Sequence, residues 1–374
     1  MPKPKVAIVY LSYNSRPYLD EVVLSIEKQT YPRELIKLVI VDNPAEDDSA
    51  KYIEKKILPR SGDTLPEIAF FPNGKNEGFA IGNNLGINHA LLEGYDYVYL
   101  LNNDAKLHSE AIERAVELAE SDSQIGSVQS LMLLWQDPDV VNSTGGMIHY
   151  LGFGFVRDNG KKLERQALAC YSERSNSLKA VAPMHCEIAY ASGAAVLYRA
   201  ELLQRIGAFD EFLWLYHEDL ELGWRIRLAG YKNAIATRSI CYHHYEFSRS
   251  ISKWFWMERN RYVVMFTHLH WRTLLLIAPA LLLMDLIVWG GSLKSGFIKE
   301  KFSSCVDLWR PKTLRNIAAK RRISRESRKV SDCEIMSLYT AKIEHQETNN
   351  PIVTHIVNPF FALYWRIIYR FICW

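Results

Sequence analysis

Asp42, the triplet Asn102-Asn103-Asp104, the pair Glu218-Asp219 and the doublet His243-His244 are residue types that could do chemistry at the places they occupy in this chain. A carboxylate closing an apolar run, such as Asp42, can bond a nucleotide base or ribose. Asp104 can hold a cation, but one carboxylate is a poor site, because hard cations take about six ligands. Diphosphate oxygens and waters would supply most of the rest, as is usual for Mg²⁺, and His243 or His244 one more. A lone histidine is more often a surface or core residue than a ligand. Glu218-Asp219-Leu220-Glu221 offers carboxylates for general-base work. It follows an aromatic approach, Phe212-Leu-Trp-Leu-Tyr-His217, which could wall a small polar substrate. The same acids suit an ordinary first helical turn equally well, where they meet the positive end of the helix dipole.

The elements that must position these residues alternate between two periods. Val6-Ala-Ile-Val-Tyr-Leu11 is a short apolar run, as expected of a strand buried on both faces. Leu38-Val-Ile-Val41, Ile68-Ala-Phe-Phe71 and Tyr97-Val-Tyr-Leu-Leu101 read the same way. Between them Leu19, Val22, Val23 and Ile26 recur at helical spacing, with Asn14 and Ser15 as candidate caps. Ile112, Ala115, Val116 and Ala119 do so after Ser109, a further candidate cap. Strand, helix, strand, helix predicts an α/β fold with a mostly parallel sheet covered on both faces. Ligands of such sheets lie beyond the carboxyl ends of the strands. Ser12 to Asn14, Asp42, Asn73 to Gly78 and Asn102 to Asp104 all fall there. No GxxxxGK loop and no GxGxxG after the first strand is present, which excludes a Walker site and argues against a dinucleotide fold.

Beyond this block the pattern loosens. Gly145-Gly146 and Gly152-Phe-Gly154 mark turns, and 158–177 is polar and loop-like. Helices are expected at Ala200 to Ile206 and near Glu218 to Leu228. With 374 residues, 48% hydrophobic and 23% charged, the chain has the composition of a folded globular protein and not of a disordered or repetitive one. Six cysteines without a CxxC pair fit a reducing compartment, and the N-terminus lacks a signal-peptide apolar region, so a cytoplasmic chain is expected. The formal net charge of +3 is unevenly spread: 290–329 carries 12 Lys and Arg against 3 acids. A block of that kind suits phosphates, whether of nucleic acid or of an anionic lipid surface.

Five segments in order resemble the glycosyltransferases of family 2. They are Val9-Tyr-Leu-Ser-Tyr-Asn-Ser15, Val41-Asp-Asn43, Asn76-Glu-Gly-Phe-Ala-Ile-Gly-Asn-Asn-Leu-Gly-Ile87, Leu101-Asn-Asn-Asp104, and Gly207-Ala-Phe-Asp-Glu211 followed by Tyr216-His-Glu-Asp-Leu-Glu-Leu-Gly-Trp-Arg225 and Ala229-Gly-Tyr231. The flavour is that of rhamnosyltransferase-like and galactofuranosyltransferase-like enzymes of bacterial surface polysaccharides, over about Val6 to Arg261. The resemblance implies a GT-A fold in 1–262 and an inverting transfer from a nucleotide-sugar. The acceptor it implies is a saccharide or polyprenyl-linked saccharide. Asp42 then matches the carboxylate that contacts the base, beside the Ser12 to Ser15 loop. The donor-binding set is Ser12, Asn14, Asp42, Asn76, Gly78, Asn83, Asn103 and Asp104. Asp104 closes a DXD-like triplet whose first position is Asn102, and with His243 it matches the ligands of a divalent cation, Mg²⁺ or Mn²⁺. Asp219 matches the catalytic base, with Trp214 and Glu218 on the acceptor side.

The remaining 263–374 is expected to be helical and membrane-associating. The apolar run 274–289 has 16 residues and contains Pro279 and Asp285, short of the roughly 20 a span requires. It therefore reads as in-plane or re-entrant, in an enzyme peripheral or monotopic at the cytoplasmic face of the membrane. The basic block follows, and then an aromatic tail with Arg366 and Arg370 at i, i+4, both suited to anionic headgroups. A helical subdomain or a homo-oligomer interface is the alternative. Nucleic acid is disfavoured, since no reading motif flanks the basic block. Two other functions use similar parts. A sugar-phosphate nucleotidyltransferase normally carries a Gly-rich, basic loop after its first strand, which is missing here. An inactive sugar-binding homologue would not need Asp104, Asp219 and His243 together.

Overall fold

The computed structural model describes residues 2–163, 187–245, 253–344 and 351–374, so most of the polar 158–177 stretch lies outside the described residues. Twelve strands are described: β1 Val6–Ser12, β2 Ile36–Asp42, β3 Glu67–Pro72, β4 Tyr97–Asn102, β5 Ala105–Leu107, β6 Ile125–Leu134, β7 Val141–Ser143, β8 Gly146–Ile148, β9 Gly154–Val156, β10 Glu187–Ile188, β11 Ala195–Arg199 and β12 Lys232–His243. The helices are α1 Leu19–Glu27, α2 Ser49–Tyr52, α3 Gly78–Leu92, α4 Ala111–Ser121, α5 Ala200–Ile206, α6 Glu218–Leu228, α7 Lys253–His268, α8 Trp271–Ser295, α9 Ile298–Leu308, α10 Pro311–Ser327, α11 Asp332–Met336 and α12 Asn358–Ile368.

The main sheet runs in the order β10-β12-β6-β11-β4-β1-β2-β3, with β5 on β12 and β7 on β6. β3, β2, β1 and β4 are parallel, as are β6 and β12, while β11 runs antiparallel between β4 and β6. The sheet is therefore mixed, with parallel pairings over most of its ladder. Every residue of β1 and β2 is buried, which their unbroken Val/Ile/Leu runs require. Alternation along β1 divides the core: Val6, Ile8 and Tyr10 face α1 and α4, whereas Ala7, Val9 and Leu11 face α3, α5 and α6. Helix α3 lies close on the sheet because a Cβ at Gly82 would come within 2.6 Å of Leu11.

Three local expectations are corrected. Asn14 and Ser15 do not cap α1, whose N-cap is Tyr18 without a side-chain bond; Ser15 is turned to Ser12 instead. Ser109 does not cap α4, which starts after Glu110. The 274–289 run is not broken at Pro279 or Asp285 but lies inside the 25-residue helix α8, long and apolar enough by length and composition to cross a membrane. Pro279 is exposed, so its ring has room on the outer side of the helix. Asp285 is turned inward and accepts from Tyr262 and Lys301.

The C-terminal helices build a second core on the back of α6. Trp224 and Leu220 of α6 pack there with Val263 and Met265 of α7, Ile277 and Met284 of α8, Ile317 of α10 and Phe361 of α12. Within it runs a buried charge chain. Arg261 pairs with Glu258 at 3.0 Å, Glu258 with Lys301 at 2.7 Å, and Lys301 in turn with Asp285.

Candidate active site

The carboxyl ends of β1, β2 and β4 bring the first group of residues together. Ser12 Oγ donates to Asp42 Oδ1 at 2.6 Å and lies 2.8 Å from Ser15 Oγ. Burial pushes the Asp42 carboxyl up, and the Ser12 hydrogen bond opposes this. Asn14 sits in the left-handed region, φ 50°, a conformation asparagine tolerates better than most residues. Asn43, next to Asp42, donates to Asn76 Oδ1 and to the Gly78 carbonyl, both at 3.2 Å, and thereby ties the β2 end to the start of α3. Asn103 donates to the Tyr13 carbonyl, which joins the β4 end to the β1 loop. Asn83 is different: it is buried, with its amide bonded at 3.0 Å to Phe79 O on its own helix.

Asp104 lies just past β4 and is buried. Strand β5 after it pairs with the end of β12, with His243 opposite Ala105. His243 Nε2 thereby comes within 3.3 Å of Asp104 Oδ1, while its Nδ1 sits 3.0 Å from Asn142 Oδ1. The two ring nitrogens thus face the Asn142 amide on one side and the Asp104 carboxylate on the other. A cation set between that imidazole and carboxylate would take a ligand from each. Among the described residues no group of three or more His, Cys, Asp or Glu gathers at a metal-binding distance. One carboxylate and one imidazole fit a cation whose other positions are filled by diphosphate oxygens and water. His244 turns elsewhere, against Tyr18 and Trp135.

The second group is reached through the backbone. Asn102 N–H donates to Ala194 O at 2.9 Å, and the preceding residue, Gly193, donates its N–H to Asp219 Oδ2 at 3.2 Å. Asp219 and Asp104 are thus attached to the same end of the β4–β11 pair. Asp219 Oδ1 also accepts from Leu220 N–H at 2.7 Å. Glu218 beside it is buried, and its Oε2 has no hydrogen-bond partner among the described residues. Burial raises both carboxyls. The Asp219 charge raises Glu218 further, whereas backbone N–H groups of Gly193, Leu220 and Asp219 itself draw Asp219 back down. Within the pair the rise is the larger for Glu218, whose burial is reinforced by the Asp219 charge, and the smaller for Asp219, which backbone N–H groups draw down.

The segment before α6 is strained. Trp214, Tyr216 and His217 all have left-handed backbones, φ 60°, 62° and 69°, without a glycine among them. Each such residue costs on the order of 1–3 kcal/mol, and such strain gathers at functional sites. Trp214 O accepts from Phe79 and Ala80 N–H at the start of α3, and its indole covers Gly78 so closely that any Cβ there would overlap it. Burial lowers His217 to about 4, so it is neutral and donates from Nε2 to Gly152 O at 3.3 Å. Sequence reasoning singled out Asp42, Asp104, Asp219 and His243 but not the residues that aim them. Asn142 and Gly193 lie in segments with no motif. Their only signal is a polar or small residue at the edge of an apolar strand.

Residues 2–263 match the family described as glycosyltransferase like family 2. The chain is 23% identical over 255 residues to an N-acetylglucosaminyl-diphospho-decaprenol L-rhamnosyltransferase of Mycobacterium tuberculosis, covering 63% of this chain and 75% of that one. It is 22% identical over 227 residues to the low-salt glycan biosynthesis hexosyltransferase Agl10 of Haloferax volcanii, covering 59% of this chain and 61% of that one. Among solved structures, GalNAc-T7 with UDP, GalNAc and Mn²⁺ superposes with a TM-score of 0.52 at 17% identity, over 71% of this chain and about half, 48%, of that one. The sheet order with its helices on both faces is the GT-A arrangement. With the family match spanning well over half its length, the chain belongs to glycosyltransferase family 2 and is a glycosyltransferase.

Proposed function

We propose that this glycosyltransferase inverts the anomeric centre of a nucleotide-sugar donor in a single displacement, and that the acceptor is a saccharide carried on a polyprenyl lipid. The observation that carries the reading is the attachment of Asp104 and Asp219 to one end of the β4–β11 pair through Asn102–Ala194 and Gly193–Asp219. A leaving diphosphate and an attacking hydroxyl require such placement on opposite sides of one sugar. Asp42, with Ser12 and Asn14, would take the base and ribose. Asn76, Gly78 and Asn103 would border the diphosphate and sugar, with Asn83 holding the helix behind them. Asp104 and His243 would hold the divalent cation, which when bound supplies positive charge to the departing nucleoside diphosphate. Asp219, the less strongly raised of the pair and bonded to the Gly193 N–H at the strand ends, is assigned to take the acceptor proton. Glu218, whose carboxyl burial and the Asp219 charge push up, would border the acceptor sugar, and the Trp214 indole offers an apolar face to a sugar ring. Positioning both substrates in line removes most of the entropic barrier.

The lipid-linked acceptor class rests on the name of the mycobacterial relative and on the C-terminal helices. In α8, Leu275, Leu282, Leu286 and Leu293 are exposed and fall on one stripe along its length, opposite the buried Thr273, Ile277, Ala280 and Met284. In the tail, Ile352, Ile356, Phe360, Leu363, Ile367 and Phe371 form a second exposed stripe beside Arg366 and Arg370. We assign these stripes, with the basic α9–α10 segment, to an anionic membrane surface at which 263–374 seats the enzyme. The test is a donor panel. Nucleotide-sugars are offered with and without short polyprenyl-diphosphate saccharides, and the anomeric configuration of the product is read by NMR. A product that retains the donor configuration, or transfer of a nucleotidyl group instead of a sugar, would overturn the reading.

A further inference from the structure

The strained loop ahead of α6 is held by one side chain from a distant helix. Asn260 of α7 is fully buried, and the two N–H bonds of its Nδ2 are shared among three carbonyls, those of Leu213 at 2.9 Å, Leu215 at 3.0 Å and Tyr216 at 2.7 Å. Its Oδ1 accepts from Arg259 Nη1 at 2.8 Å, and the same nitrogen donates to Phe212 O at 2.8 Å. Three carbonyls on one side and a guanidinium on the other fix which amide atom is which. The three carbonyls converge because Trp214 and Tyr216 are left-handed, and the turn is as tight as Leu215 N–H to Leu213 O at 2.7 Å. On its other face the loop carries Trp214 against Gly78 and, directly after His217, the Glu218–Asp219 pair. Arg259 is itself anchored by Asp307 of α9 at 3.1 Å.

We propose that Asn260 is a positioning residue for the transfer step, a clamp that keeps 213–216 in its left-handed form and so sets Trp214 and the turn that presents Asp219. The proposal rests on the reading of Asp219 as base for its effect on turnover, but not for its effect on the loop. The amide matches its three acceptors in a way that few side chains reproduce. Alanine leaves buried carbonyls without donors, and aspartate, the same size, sets a carboxylate against them. In either case the left-handed residues relax toward ordinary backbone, and the bond from Trp214 O to the start of α3 is lost. The nucleotide end of the site, at Asp42 and Ser12, is built on other strands and is left in place.

The experiment uses full-length Asn260→Asp, Asn260→Ala and Arg259→Lys proteins, with two readouts besides turnover: the dissociation constant of the nucleoside diphosphate, and the near-ultraviolet circular dichroism of the Trp214–Trp256 pair, whose rings lie 4.9 Å apart. The expected result is a kcat lower by about tenfold or more, nucleotide affinity within about threefold of wild type, and loss of the tryptophan signal. Folded Asn260 variants with normal turnover, or variants that lose nucleotide binding in proportion to turnover, would overturn the proposal. Should both Asn260 variants fail to fold, Arg259→Lys decides, since lysine keeps the charge but cannot serve Asn260 and Phe212 together. Reduced turnover with a lost tryptophan signal supports the clamp, and normal turnover overturns it. Asp219→Asn keeps the tryptophan signal whatever its turnover, so failure of the base assignment and failure of the clamp are read separately.

Discussion

At the residue scale the Glu218–Asp219 pair concentrates the testable chemistry. Asp219→Asn keeps the size but can accept from only one of Gly193 and Leu220, and it cannot take a proton. Turnover should fall by about 10² to 10⁴ with donor affinity retained, and near-normal turnover would remove Asp219 from the role. Burial also raises the Asp219 carboxyl, so kcat should decline with falling pH sooner than the roughly 3.9 of a free aspartate would give. Glu218 is raised as well, and its effect on stability follows from that. Its folded value lies above its unfolded one, so the native state binds the extra proton and stability is lost as pH rises from about 4.3 through the folded value. Glu218→Gln should be at least as stable as wild type at pH 8, with an advantage in melting temperature that grows with pH. A variant whose deficit grows with pH instead would contradict the assignment. Asp104→Ala and His243→Ala should each weaken donor binding as EDTA does in wild type. Isothermal titration with donor checks this, and donor affinity unaffected by EDTA and by both variants would exclude a cation there.

At the scale of elements, legibility follows how local the deciding forces are. The parallel strands were readable because burial on both faces writes an unbroken apolar run, as in β1 and β2. Helices α5 and α6 fall where periodicity puts them. The misread features are decided by residues far away in sequence. Asn14 and Ser15 resemble caps, but Ser15 is drawn into the site loop by Ser12, itself held by Asp42, and by Ser49, which bonds its N–H from 34 residues away. Asp285 reads as a break in an apolar helix because its partners, Tyr262 and Lys301, lie 23 and 16 residues away. The left-handed loop at 214–217 has no glycine to announce it, and its clamp at Asn260 lies on another helix. Lys301 gives a test at this scale. It is fully buried between Glu258 and Asp285, and Lys301→Ala leaves carboxylates without that partner and a cavity besides. A loss of about 3–5 kcal/mol is expected by denaturant unfolding, whereas a change below about 1 kcal/mol would mean the chain of charges is not holding α9 to α7 and α8.

At the scale of the whole molecule the question is what the exposed leucines of α8 face. The helix is long enough to cross a bilayer, yet its inner side is fastened along its length to the enzyme: Tyr364 of α12 donates to Leu276 O at 2.7 Å, and Asp285 is held by Tyr262 and Lys301. To cross, it would have to carry the Glu258–Lys301–Asp285 charges with it or break them. A helix lying flat, with the stripe of Leu275, Leu282, Leu286 and Leu293 sunk into one leaflet, keeps every one of these contacts. Burying a leucine is worth roughly 1.5–3 kcal/mol, and a basic residue at an anionic surface about 1 kcal/mol, screened by salt. The two stripes together should therefore outweigh the charges of α9 and α10. The protein is expected to co-sediment with anionic vesicles, to be weakened but not released by 0.5 M salt (about 4 Å of screening length), and to be released by Leu282→Asp combined with Leu286→Asp. That double variant should still bind nucleoside diphosphate and lose activity chiefly on lipid-linked acceptors. Wild-type protein left in the supernatant with anionic vesicles would end the membrane reading and turn the stripes toward an interface between copies of the chain, which analytical ultracentrifugation of the same sample would reveal.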